Sequence, residues 1–124
     1  MSDERFEAGM AIRRRVMGDG YVDRAVARTE GTESAQVQRF ITENVWGSVW
    51  TRDGLAPRDS SLLTIGILTA LRTTEELAGH VRGALTNGLT RDEITEAIVQ
   101  TAGYCGAPAA LAAMRAAQQV FDEA

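Results

Sequence analysis

The run LLTIGILTAL, Leu62–Leu71, constrains this chain more than any other feature. It lies in the segment Arg58–Leu71, which opens just after Pro57, a residue suited to a helix start. The apolar residues Leu62, Leu63, Ile65, Ile67, Leu68 and Leu71 would fall on almost every side of such a helix, the pattern of one buried all round. The run is too short to cross a bilayer, which takes about 20 apolar residues. It must therefore be buried in protein. A chain of 124 residues is one small domain, and so small a domain rarely surrounds a helix unaided. The expectation is a single domain over residues 1–124 that self-associates through apolar helices, so a stable monomer is not expected.

The other segments also read as helices. Glu4–Met17 places Phe6, Met10, Ile12 and Val16 on one face and ends at the GDG of Gly18–Gly20. A short helix around Val22–Arg28 follows, closed by the polar TEGTE. Ser34–Val49 carries Val37, Phe40, Ile41, Val45 and Trp46 at helical spacing. Thr51–Asp59 is a loop by its Gly and Pro content. Thr73 stands three residues before Glu76, as in a capping box, ahead of a helix Thr74–Asn87 that stops at Gly88. Thr90 and Glu93 form a second such pair, opening a helix to about Tyr104. CGAP breaks that helix, and Pro108 starts the last one, to about Glu123. Nothing reads as a strand. The aromatic share is 6%, with many Ala and Leu instead, which suits close helix packing. The predicted fold is all-α, a compact domain of about six helices.

Composition narrows the chemistry. The net charge of −4 argues against nucleic acid, which requires a basic face. Cys105 is the single cysteine, so no intramolecular disulfide, four-cysteine zinc site or Cys-x-x-Cys pair can form. The opening MSDERFEAGM is charged and lacks a signal-peptide core; a cytoplasmic location and no membrane partner are expected. All 13 basic residues are arginine. Without lysine, Schiff-base chemistry is excluded, and anion recognition falls to arginine, whose planar fork suits carboxylates.

The one histidine, His80, sits at the edge of the stripe Leu77, Val81, Ala84 and Leu85, one turn after Glu76. A carboxylate at i, i+4 can hydrogen-bond an imidazole and raise its pKa, preparing a general acid. The same spacing also fits a boundary histidine with Glu76 serving only as a cap. No metal is expected, since a second histidine is lacking. Cys105 reads as a small core filler or, less simply, as a nucleophile. The arginines at 13, 14, 15, 52, 58 and 82 are candidates for holding an anion or merely solvate a surface. Trp46 and Trp50, one turn apart, are core residues or a pocket wall.

Several stretches together resemble the carboxymuconolactone decarboxylase family. They are RFEAGMAIRRRVMGD with VDRA, WGSVWTRDGL, SLLTIGILTAL, EELAGHVRGALTNGLTRDEITEAIVQTAGYCGAPAA and AQQVF, running nearly end to end. The resemblance implies an all-helical subunit in a hexamer, trimer or similar ring, with no cofactor. It implies decarboxylation of the anionic lactone 4-carboxymuconolactone to 3-oxoadipate enol lactone in bacterial protocatechuate catabolism, the β-ketoadipate pathway. Catalysis would fall to His80, as proton donor or enolate stabiliser, and Glu76, as its orienting partner. Arg13, Arg14, Arg52, Arg58 and Trp46 would bind the substrate. The redox activity of a related branch, which has Cys-x-x-Cys ahead of the histidine, does not carry over, because Leu77, Ala78 and Gly79 stand there. The chain departs from the family pattern at Ser60, where arginine is usual, at Arg72, where glycine is common, at Gly103, where a bulky apolar residue is usual, and at Leu111, where asparagine is frequent. Two alternatives stand beside this reading: a family member acting on another small molecule, and a non-catalytic oligomeric binding protein.

Overall fold

The computed structural model describes residues 2–123. They hold seven α-helices and no strand, so the all-α class is borne out. The chain divides into two compact units, Met1–Ala56 and Pro57–Ala124.

The first unit contains α1 (Ser2–Met17), α2 (Asp19–Thr29) and α3 (Ser34–Ile41), and α3 runs on into a π-helical segment, Thr42–Trp50. Spacing predicts one ordinary helix there. The difference arises where α1 lies against the segment backbone to backbone. A Cβ on Gly9 would stand 2.0 Å from the Thr42 carbonyl oxygen and 2.7 Å from the Gly47 nitrogen. A Cβ on Gly47 would stand 2.4 Å from the Arg5 carbonyl oxygen. Glycine at both positions permits this approach, and the widened turn is the kind of local departure that recurs at functional sites. Val16, Met17, Val22 and Trp46 form the core of this unit. Trp50 packs against it and stacks on Trp46, with ring centroids 4.8 Å apart.

The second unit contains α4 (Pro57–Leu71), α5 (Thr74–Thr86), α6 (Arg91–Cys105) and α7 (Ala107–Asp122). Ile65, Leu77, Val81, Ala84, Ile94 and Ile98 meet Ala113, Ala117, Val120 and Phe121 of α7 in one core. The small alanines of α7 let the other helices come close. Helix α4 is not buried all round within the subunit. Ser61, Ile65 and Thr69 are buried, while Leu63, Ile67 and Leu71 are 56%, 48% and 64% exposed. These three leucine and isoleucine side chains recur every fourth residue, so they line one outward stripe.

Candidate active site

Helix α5 carries the predicted catalytic pair, and the turns on either side of it set their environment. At its start, Thr73 makes no side-chain cap. The predicted box with Glu76 is therefore not formed. The reason lies in the end of α4: Thr73 N–H donates to the Leu68 carbonyl (3.2 Å) and Arg72 N–H to the Thr69 carbonyl (3.2 Å), with Arg72 at φ 59°. That is the Schellman closure, with Arg72 in the left-handed position and Thr73 just beyond it. Thr73 also sits at ψ 80°, short of the extended ψ of a capping residue. Its hydroxyl turns back toward the Leu68 carbonyl at 3.5 Å. Glu76 is left exposed, its carboxylate outside any cap.

His80 lies one turn further along, half-buried between the fully buried Leu77 and Val81. Burial pushes its pKa down to about 4 from the ordinary 6.5. This corrects the expectation that Glu76 raises it. Desolvation penalises the imidazolium, and the exposed carboxylate, screened by solvent, does not offset it. The imidazole is neutral at neutral pH, a hydrogen-bond donor through its one N–H rather than a ready acid.

The second box forms as predicted: Glu93 N–H donates to Thr90 Oγ1 (3.0 Å), and Thr90 N–H donates to Glu93 Oε1 (2.9 Å). The other oxygen of Glu93 accepts from Arg58 at 2.5 Å. Glu93 is held below its usual carboxylate range by Arg58 first and the Thr90 backbone next, and Arg58 is raised in turn. Arg58 is thus engaged by an acid of its own unit.

The substrate-binding candidates Arg13, Arg14, Arg52 and Trp46 belong to the first unit. Arg14 donates to Asp23 (2.9 Å) and Asp19 (3.1 Å), and both acids raise its pKa. Arg52 is exposed in the connection after the π-helical segment. Trp46 is buried in the core under Trp50. Arg13 is 7% exposed and donates from Nη1 to Thr42 Oγ1 at 3.1 Å. Burial lowers its pKa from the ordinary arginine value. Cys105 is a free, half-buried thiol at the last turn of α6. Leu111 is exposed, and the Ser60 carbonyl accepts from the Thr64 hydroxyl. Among the described residues no three His, Cys, Asp or Glu side chains gather as metal ligands would, and no helix is long and apolar enough to cross a membrane.

Two polar residues escaped the sequence reading. Thr42, the partner of Arg13, gives no local signal, because the pairing spans 29 residues. Ser61 is fully buried, and its hydroxyl has no hydrogen-bond partner among the described residues. Its signal was available: Ser61, Ile65 and Thr69 repeat every four residues, putting two hydroxyls on the buried face of α4.

The model of the carboxymuconolactone decarboxylase family matches residues 35–119. A 4-carboxymuconolactone decarboxylase of Acinetobacter baylyi is 39% identical over 99% of this chain and 92% of its own. A nitrosuccinic acid decarboxylase of Metarhizium robertsii is also 39% identical, over 95% of this chain and 82% of its own. An uncharacterised 15.0 kDa protein of Paracoccus denitrificans is 39% identical over 67% of this chain and 63% of its own.

Proposed function

The chain belongs to the carboxymuconolactone decarboxylase family and is a carboxy-lyase; from that premise we propose that its substrate is a small dianion with an electron sink beside the leaving carboxylate and a second carboxylate that stays. The observation that carries this reading is the pair of equally similar decarboxylases whose substrates look unlike. In carboxymuconolactone, the electrons left by CO2 flow through a double bond into the lactone carbonyl and make a dienolate. In nitrosuccinic acid, the neighbouring nitro group takes them as a nitronate. Each molecule keeps one carboxylate. A substrate that is its own sink asks the protein only to hold that carboxylate, to stabilise the oxygen that gains charge, and to return a proton to carbon.

The leading reading is 4-carboxymuconolactone going to 3-oxoadipate enol lactone, a step of protocatechuate catabolism in the cytoplasm, because the likeness to that relative spans more of both chains. His80 hydrogen-bonds the forming enolate as a neutral imidazole. Growing negative charge there raises its proton affinity, so the ring takes up a proton from solvent water as it passes its own N–H proton to carbon. Glu76, one turn back, orients it. The surviving carboxylate is met by an arginine among Arg13, Arg14, Arg52 and Arg58, with Trp46 as an apolar wall. All 124 residues work as one functional domain. The stripe Leu63, Ile67 and Leu71 is covered by other copies in a hexamer or trimer, and sedimentation as a monomer would contradict this. The second reading is a nitrosuccinate-type substrate, favoured by the Metarhizium robertsii relative.

CO2 release measured side by side on the lactone and on nitrosuccinate tests the proposal. A kcat/KM for the lactone at least about 100-fold higher supports the leading reading. The reverse preference supports the second, and no turnover of either refutes both.

A further inference from the structure

We propose that the buried Arg13–Thr42 pair, at the opening of the π-helical segment, is the seat of the carboxylate that stays on the substrate. The inference rests on the decarboxylase reading above and selects among its arginines. Arg14 already has Asp19 and Asp23, and Arg58 already has Glu93. Arg52 is exposed, where water and salt weaken any ion pair. Arg13 differs from all three. It is 7% exposed, and among the described residues no acidic side chain pairs with it.

Its guanidinium also keeps donors for an anion beyond the one spent on Thr42. A guanidinium has five N–H donors in a rigid fork. One meets Thr42 Oγ1, whose own proton is spent on the Gln38 carbonyl at 2.8 Å. The hydroxyl therefore only accepts from Arg13, and it carries no charge to balance the cation. A buried charge is costly without a counter-charge. An incoming carboxylate supplies one, and a desolvated fork grips it more firmly than an exposed one does. Of its titratable neighbours, Tyr21 favours the cation and Arg14 opposes it, and neither is a carboxylate.

The pair is also held in register. Gly9 lies one turn before Arg13 on α1, where a Cβ would collide with the π-helical backbone at Thr42 and Gly47. That contact sets where Arg13 meets Thr42, and Trp46 and Trp50 rigidify the segment beyond it.

The test compares Arg13→Met, Arg13→Lys, Thr42→Val and, as a control, Arg39→Met, whose arginine pairs with Asp3. The turnover readout uses whichever dicarboxylate the wild type decarboxylates. Arg13→Met is expected to raise KM roughly 30-fold with kcat within about threefold, because uniform binding is lost. Arg13→Lys recovers part of the loss, since it keeps the charge without the fork. Thr42→Val raises KM roughly fivefold and stands in if Arg13→Met does not fold. Arg39→Met leaves KM unchanged. A second readout, independent of turnover, is succinate as probe: it raises the melting temperature of the wild type but not of folded Arg13→Met. An unchanged KM in folded Arg13→Met, or in Thr42→Val where only that variant folds, overturns the assignment. If the wild type decarboxylates neither substrate, the reaction reading fails, and the succinate shift alone decides the seat: dependence on Arg13 supports it, independence overturns it.

Discussion

The two junctions that flank α5 are built from the same parts and end differently. Each closes a helix with a Schellman motif, and each continues into a helix headed by Thr-x-x-Glu. After α5, Gly88 takes the left-handed position at φ 102°, Leu89 N–H reaches back to the Ala84 carbonyl (2.9 Å), and Thr90 is free to cap α6. After α4, Arg72 takes the left-handed position, and Thr73 must both close α4 and open α5. One residue cannot do both, so α4 keeps it and the Thr73–Glu76 box does not form. The spare residue, Leu89, is the whole difference. Its consequence is chemical. Glu93 is consumed by a cap and by Arg58, whereas Glu76 stays outside any cap, one turn before His80.

The comparison can be broken most forcefully at His80. His80→Gln is expected to lower kcat/KM by roughly 10²-fold or more while the protein stays folded, read by CO2 release and circular dichroism. Near-normal turnover would return His80 to the role of a boundary residue. The next effect is on stability against pH. Below pH 6.5 the unfolded chain protonates this histidine, while the folded chain resists until about pH 4. Stability contributed by neutral His80 is therefore present above 6.5 and lost as pH falls toward 4, by about 2 kcal/mol after allowing for partial exposure. Urea titrations across that window should show the slope in the wild type and a flatter one in His80→Gln.

Smaller effects sharpen the contrast between the junctions. Thr90→Ala should cost about 1 kcal/mol, because it removes a formed cap, whereas Thr73→Ala should cost less than about 0.5 kcal/mol. Equal losses would mean that Thr73 caps α5 after all. Last, Arg72→Gly should stabilise by somewhat under about 1 kcal/mol, since glycine takes a left-handed φ without penalty, and Gly88→Arg should destabilise by a similar amount. Thermal melts of the two single variants measure this.

Much of the fold was legible because helix periodicity and end signals are local. The helix bounds of α4 to α7, the stop at Gly88 and the box at Thr90 all follow from residues within one turn of each other. Arg72 was legible in a different sense. It stands where the resemblance leads one to expect glycine, and its φ of 59° is one that glycine takes without penalty. The π-helical turn was not legible, because it accompanies contact between backbones far apart in sequence, at Gly9 and Gly47. Nor was the sorting of the arginines. Arg13, Arg14 and Arg58 are alike as letters, and what separates them is whether folding brings an acid to each.

The sequence by itself determined an all-α chain without lysine or paired cysteines, with one histidine a turn after a glutamate, and these are properties of composition and of neighbours within a turn. Only the tertiary structure decided that the histidine is neutral, that its glutamate takes no part in a cap, and that one arginine is buried against a hydroxyl with no acid paired to it among the described residues. Desolvation and pairing depend on which distant groups are brought close, and no local pattern records that.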